Sequence, residues 1–227
     1  MCIRDRDYIS AWIPHIKNKN IIVVAPRFDK RNYRYFFLLE SANSSGVINN
    51  NSNDYINSSI SSFYNFFKSK FSLNTNKYMM FGHSAGAQFT HRYMLLSNDK
   101  RISNAVVANA GWYTFLNGAD FPYGINNSPI DITPSDIRWF MSNRSTLLIG
   151  GNDISLNDVN SSRGAINQGR TRLDRANNYF NVMIDIADKE NIPLRWTYKV
   201  VDRVGHDYKK MTFQAAKILL QDVKSFD

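Results

Sequence analysis

Residues 78–87 read Tyr-Met-Met-Phe-Gly-His-Ser-Ala-Gly-Ala, an apolar run that meets G-x-S-x-G and passes at once into a helical pattern. No other stretch constrains the chain as much. It predicts a strand, a sharp turn with Ser84 at its tip, and a helix. A serine on so tight a turn needs small neighbours two positions to either side, and Gly82 and Gly86 stand there. The turn lifts the Ser84 hydroxyl clear of the sheet and aims the Ala85 N–H at the place where an oxyanion would form. The following helix, apolar at Phe89, Met94, Leu95 and Leu96, sets the positive end of its dipole beneath the serine. The five-letter pattern alone also arises by chance, as a structural turn with a surface serine. A catalytic role demands more: an acid and then a histidine, in that order, each just past a strand.

Both are present. Ser145 to Ile149 reads as a short buried strand opening into Gly150-Gly151-Asn152-Asp153. Leu194 to Val201 is an alternating, β-rich strand, followed by Asp202-Arg203-Val204-Gly205-His206. Asp153 is the expected acid because it lies at a strand end, where catalytic groups collect in open α/β sheets. Asp158 and Asp202 are competing choices. In this arrangement His206 takes the Ser84 proton, and Asp153 holds the imidazole tautomer and stabilises its cation. The other histidines have plainer readings. His83 is the variable residue of the turn and a candidate substrate contact, His91 is a packing or surface residue two turns along the helix, and His15 has no partner in view.

With these residues in place the chain resembles the α/β-hydrolases, and within them the polyhydroxybutyrate-depolymerase-like esterases. The resemblance runs from about Ile21 to the C-terminus. It rests on Val23-Val24-Ala25-Pro26, Gly82-His83-Ser84-Ala85-Gly86, Gly151-Asn152-Asp153 and Gly205-His206-Asp207. The narrower likeness leans on Ala108-Asn109-Ala110-Gly111-Trp112-Tyr113, Phe121-Pro122-Tyr123-Gly124 and Gln168-Gly169-Arg170-Thr171-Arg172. Ala87 departs from it, since depolymerase-like esterases usually carry a second glycine there. The resemblance implies one α/β domain over residues 1–227, a mostly parallel sheet with helices on both faces, and serine esterase chemistry without a cofactor. A peptidase or thioesterase of the same fold, and a non-catalytic binding protein that keeps the turn as scaffold, are the alternatives.

The resemblance also implies that the first strands of the fold are lost. Met1-Cys2-Ile3-Arg4-Asp5-Arg6 looks like a non-native leader, and Ile21 to Ala25 looks like the fourth strand, with the third strand and its oxyanion loop absent. Such a fragment would lack one oxyanion donor, leaving the Ala85 N–H alone, at a cost of about 10²- to 10³-fold in rate. The rival reading makes Ile21 to Ala25 the third strand and lets Arg27-Phe28 supply the second oxyanion donor.

Composition narrows the rest. The chain is 43% hydrophobic and 14% aromatic over 227 residues, which suits one globular domain with a full core. Its net charge of +9 comes from scattered residues without a block of five like charges, so a nucleic-acid stripe is not expected. No apolar run reaches the roughly 18 residues of a membrane helix. Cys2 alone makes no internal disulfide and no thiol-rich metal site. That fits a cytoplasm and does not exclude export.

Further expectations follow from local patterns. Asp7 to Asn18 reads as a helix with Tyr8, Trp12, Ile13 and Ile16 inward and Pro14 disturbing it. Arg27 to Leu39 should cover the sheet or rim the site, and Ser41 to Asn53 reads as a polar loop with no reason to pack. Asp54 should cap a helix whose Ile56, Ile60, Phe63, Phe67 and Phe71 are core. Trp112 and Tyr113, after the strand Ile102 to Ala108, are candidates to line the substrate pocket. Thr133-Pro134 should open a helix. Asn157 to Gly169 reads as a loop. A helix with Leu173, Ala176, Phe180, Ile184 and Ala187 inward should follow, its arginines paired with Asp174. The last helix should bury Met211, Ala215, Ile218, Leu219 and Val223.

Overall fold

The computed structural model describes residues 5–224, with side chains from Asp7 onward. Met1 to Arg4, including Cys2, lie outside the described residues. Four strands, β1 (Tyr78–His83), β2 (Ile102–Ala108), β3 (Ser145–Gly150) and β4 (Trp196–Val201), form one parallel sheet in chain order. Their residues alternate faces with period two. Ala105, Val107, Leu147 and Ile149 turn to one core, and Val106, Ala108 and Leu148 to the other. The central strands are apolar on both sides because both sides are covered.

Helix α3 (Ala85–Leu96) and α6 (Arg172–Glu190) pack on the first face. Helices α1 (Asp5–Ile16) and α7 (Tyr208–Leu219) pack together on the second. Helix α3 is buried from Ala87 to Leu96. Phe28 and Phe36 stack beside Phe89, and Leu38 and Leu39 are fully buried, so the basic-aromatic stretch covers this helix. Helix α4 (Pro134–Ser142) starts where expected, with a reciprocal Thr133–Asp136 capping box.

Several expectations fail, each for a packing reason. Residues 21–26 belong to no strand. Ile21 and Val23 pack against the α1–α7 core, while Ile22 and Val24 are 45% and 40% exposed. An apolar run becomes a buried strand only where a neighbour takes its hydrogen bonds, and among the described residues β1 is paired on its β2 side alone. Helix α2 (Ser59–Lys70) has no buried residue; Phe63 and Phe71 are exposed, and of the predicted apolar set Ile56 alone is buried. Asp54 does not cap it, because its carboxylate accepts from Asn49 and Asn51 instead. Those bonds, with buried Ser41 and Ala42, give the 41–53 loop a reason to pack. Ile13 is exposed, and Pro14 sits in the last turn of α1, where little helix remains to disturb.

The 157–169 stretch contains a short helix, α5 (Arg163–Gln168), capped by Ser162. In α6 the inward face runs through Ala176, Tyr179, Met183 and Ala187, which leaves Ile184 exposed. In α7, Met211, Ala215 and Leu219 are buried as expected.

Candidate active site

The three parallel strands β1, β3 and β4 deliver Ser84, Asp153 and His206 to the same end of the sheet, just beyond their carboxyl termini. Ser84 has φ 57 and ψ −119, a conformation that a non-glycine residue holds only where its surroundings over-determine it. Its N–H donates to the Ala108 carbonyl at 3.0 Å, which binds the turn to the end of β2. A Cβ at Gly82 would collide with the Gly86 carbonyl and Thr90 Oγ1, so glycine is needed there. A Cβ at Gly86 would meet nothing within 4 Å. The expected demand for a small residue therefore holds on the strand side and not on the helix side, because the helix turns its side chains away at that point.

Asp153 is 1% exposed, and its two oxygens have different partners. Oδ2 lies 2.7 Å from His206 Nδ1, and Oδ1 lies 3.2 Å from Arg172 Nη1. The His206 side chain is 32% exposed, so the ring reaches solvent with its other edge. No hydrogen bond joins Ser84 Oγ to His206 among the described residues. Catalytic bonds of this kind often tighten only when substrate arrives. The His206 ring centroid is 4.7 Å from that of His83, the residue next to Ser84. Of the competing acids, Asp202 is exposed, and Asp158 offers its backbone carbonyl to Arg172.

His83 is 4% exposed, and its Nδ1 lies 3.4 Å from the Tyr8 hydroxyl of α1. Burial first, then the neighbouring His206 and Arg172, lower its pKa from 6.5 to about 3. Burial also raises Tyr8 to about 12. His91 is fully buried; its Nδ1 donates to the Ala87 carbonyl, its Nε2 accepts from Thr114 N–H, and burial holds its pKa well below 6.5. Both histidines are neutral when folded and bind a proton when unfolded in acid. Stability is therefore complete above pH 6.5 and is lost as pH falls from 6.5 toward 3. One such proton costs about 1.4 kcal/mol per pH unit in that window. The His83→Gln variant should lose stability less steeply between pH 6 and pH 4 in denaturant titrations, by about one proton. An unchanged slope would show that His83 is not held neutral.

Trp112 and Tyr113 are not presented to an open pocket. Trp112 is 2% exposed, between the Arg92 guanidinium at 4.1 Å and the Tyr123 ring at 4.6 Å. Tyr113 is fully buried and stacks on Tyr179 at 4.4 Å. The arginines of α6 also differ from expectation. Asp174 is used in a capping box with Thr171, while Arg172 binds Asp153. Arg175 donates to the carbonyls of Gly111, Asn160 and Gly169. Both are buried and fasten the loop after β3 to the sheet.

No group of three or more His, Cys, Asp or Glu that could hold a metal ion occurs among the described residues. No helix is long and apolar enough to cross a membrane among those residues.

No family model matches the chain, and no curated protein matches it significantly. Solved structures do. A poly(3-hydroxybutyrate) depolymerase, LpqC from Bordetella parapertussis, superposes with a TM-score of 0.86 at 24% identity, over 99% of this chain and 78% of that one. The chain has the α/β-hydrolase fold. Poly(aspartic acid) hydrolase-1 from Sphingomonas sp. KT-1 gives 0.85 at 26% identity, over 95% of this chain and 83% of that one. Of these two neighbours of this α/β-hydrolase-like chain, one is a depolymerase by name and the other a hydrolase. The fold expected from the motifs thus has a structural counterpart across nearly the whole chain.

Sequence reasoning missed what holds the site together. Asn109 stands out in the sequence only as part of a motif, Arg172 as part of a motif and as a partner for Asp174, and Tyr8 only as an apolar helix residue. A polar residue directly after a buried strand was the one available signal for Asn109.

Proposed function

We propose that this chain is a serine hydrolase of carboxylic esters, with Ser84 as nucleophile, His206 as general base and Asp153 as the acid that orients it. The observation that carries the reading is the 2.7 Å Asp153–His206 bond beside the strained turn that bears Ser84. The bond uses Nδ1, which leaves Nε2 as the base. In the first step His206 Nε2 takes the Ser84 hydroxyl proton as Oγ adds to the acyl carbon. The resulting oxyanion is met by the Ala85 N–H at the positive end of α3. Collapse expels the alcohol, which takes the proton from His206, and leaves an acyl-Ser84 ester. Water then adds with His206 again as base, releasing the acid and free Ser84.

Hydroxyalkanoate oligomers are the first substrate class to try, on the likeness to the Bordetella depolymerase. The likeness to a poly(aspartic acid) hydrolase and the net charge of +9 make anionic polymers the second. The test is labelling with a serine-directed phosphonate, located by peptide mass, beside a panel of simple esters, hydroxybutyrate oligomers, thioesters, peptide amides and poly(aspartate). Stoichiometric modification of Ser84 with ester turnover is expected. An unlabelled Ser84 with no turnover would instead favour a non-catalytic scaffold, and preferential cleavage of amides or thioesters would reassign the substrate.

A further inference from the structure

The carboxyl end of β2 carries no triad member, yet it touches all three segments that do. Ala108 accepts the Ser84 N–H at 3.0 Å. Asn109, next in the chain, is fully buried at φ 50. Its own N–H donates to Leu148 O at 2.9 Å, near the end of β3. Its side-chain Oδ1 accepts the Gly150 N–H at 3.1 Å, where the turn to Asp153 begins. Its Nδ2 donates to the Gly205 carbonyl at 3.0 Å, one residue before His206. The left-handed backbone aims the amide across the sheet ends, and asparagine is one of the few side chains that enters this region readily. Its carbonyl and amino halves match one N–H on the acid turn and one C=O on the histidine loop, so neither end is interchangeable.

We propose that Asn109 is a positioning residue for catalysis: it clamps the acid turn to the histidine loop and sets His206 relative to Ser84. The proposal rests on the serine hydrolase reading above. Other bonds join the same two loops, with Gly151 N–H donating to Val201 O and Asn152 N–H to Val204 O, both at 2.9 Å. These hold the acid turn to the start of the histidine loop, up to Val204. Asn109 alone among these contacts reaches Gly205, next to the ring.

Removing the clamp should therefore leave the fold and misplace the base. A displacement of about 1 Å at a catalytic group is enough to cost on the order of 10²-fold in rate. The experiment uses Asn109→Gly, which keeps the positive φ and deletes both bonds. A second variant, Asn109→Asp, keeps the shape but sets an oxygen against the Gly205 carbonyl. Met183→Ala, a buried change on α6 away from the site, serves as a stability control.

In both Asn109 variants kcat should fall about 10- to 100-fold per folded molecule, with KM within about twofold of the parent. In Met183→Ala the thermal midpoint should fall while kcat per folded molecule is kept. The low-field NMR resonance of the His206 ring proton shared with Asp153 should weaken or shift in Asn109→Gly, and vanish in Asp153→Asn as reference. Parental kcat in both Asn109 variants, or losses no larger than in Met183→Ala, would overturn the proposal. If Asn109→Gly fails to fold, Asn109→Asp decides by the same two readouts. Should the parent show neither ester turnover nor Ser84 labelling, the serine hydrolase reading fails by itself. The resonance then still decides the clamp, because an unchanged signal in Asn109→Gly would refute it.

Discussion

Ser84→Ala should lower ester turnover by roughly 10⁴- to 10⁶-fold, the scale seen when a triad nucleophile is removed. The change deletes one oxygen and leaves the Cβ in place, so the strained backbone at φ 57 and ψ −119 persists. The thermal midpoint should stay close to that of the parent. A companion variant separates chemistry from strain. Glycine enters positive φ without a Cβ penalty, so Ser84→Gly should be as inactive as Ser84→Ala but more stable, by about 1–3 kcal/mol. Hydrolysis of a chromogenic ester and thermal melts of the three proteins are the measurements. Turnover near the parental rate in Ser84→Ala would remove the nucleophile assignment, and equal stability of the alanine and glycine variants would show that the turn stores no strain.

Asp153→Asn should cost on the order of 10⁴-fold in turnover. An amide at this position presents either oxygen or nitrogen to His206 Nδ1, and Arg172 competes for the oxygen. The nitrogen then faces the ring and favours the tautomer that cannot act as base at Nε2. The same substitution leaves the Arg172 guanidinium buried beside a neutral amide. Unpairing a buried charge is destabilising, so rates must be expressed per folded molecule. Asp158→Asn and Asp202→Asn should retain most of the activity, because Asp202 is exposed and Asp158 contributes its backbone carbonyl. Damage confined to either of those variants would move the acid elsewhere.

The lesson for sequence reading lies in particular elements. The strands β2, β3 and β4 were legible, and so was the strand–turn–helix around Ser84, because short apolar or alternating β-rich runs bounded by turn residues mark strands. Thr133-Pro134 marked the start of α4 through backbone chemistry that acts within four residues. By contrast, Ile21 to Ala25 had the composition of a buried strand and did not become one. The phenylalanines of α2 had helical spacing and remained largely exposed. Spacing says which side chains share a face; it does not say whether another layer covers that face.

The sequence by itself determined the class of sheet, the strained turn at Ser84, and the order in which Ser84, Asp153 and His206 follow three strands. These are written in local pattern: apolar runs, the spacing of glycines, and the order of residues along the chain. Only the tertiary structure decided which carboxylate meets His206, that Arg172 takes the other oxygen of Asp153, and that Trp112 and Tyr113 are interior. It also decided that Asn109 spans two loops, since Gly150 and Gly205 lie 41 and 96 residues away along the chain. A bond between distant residues is set by how layers stack and how loops close, and local pattern carries no record of either.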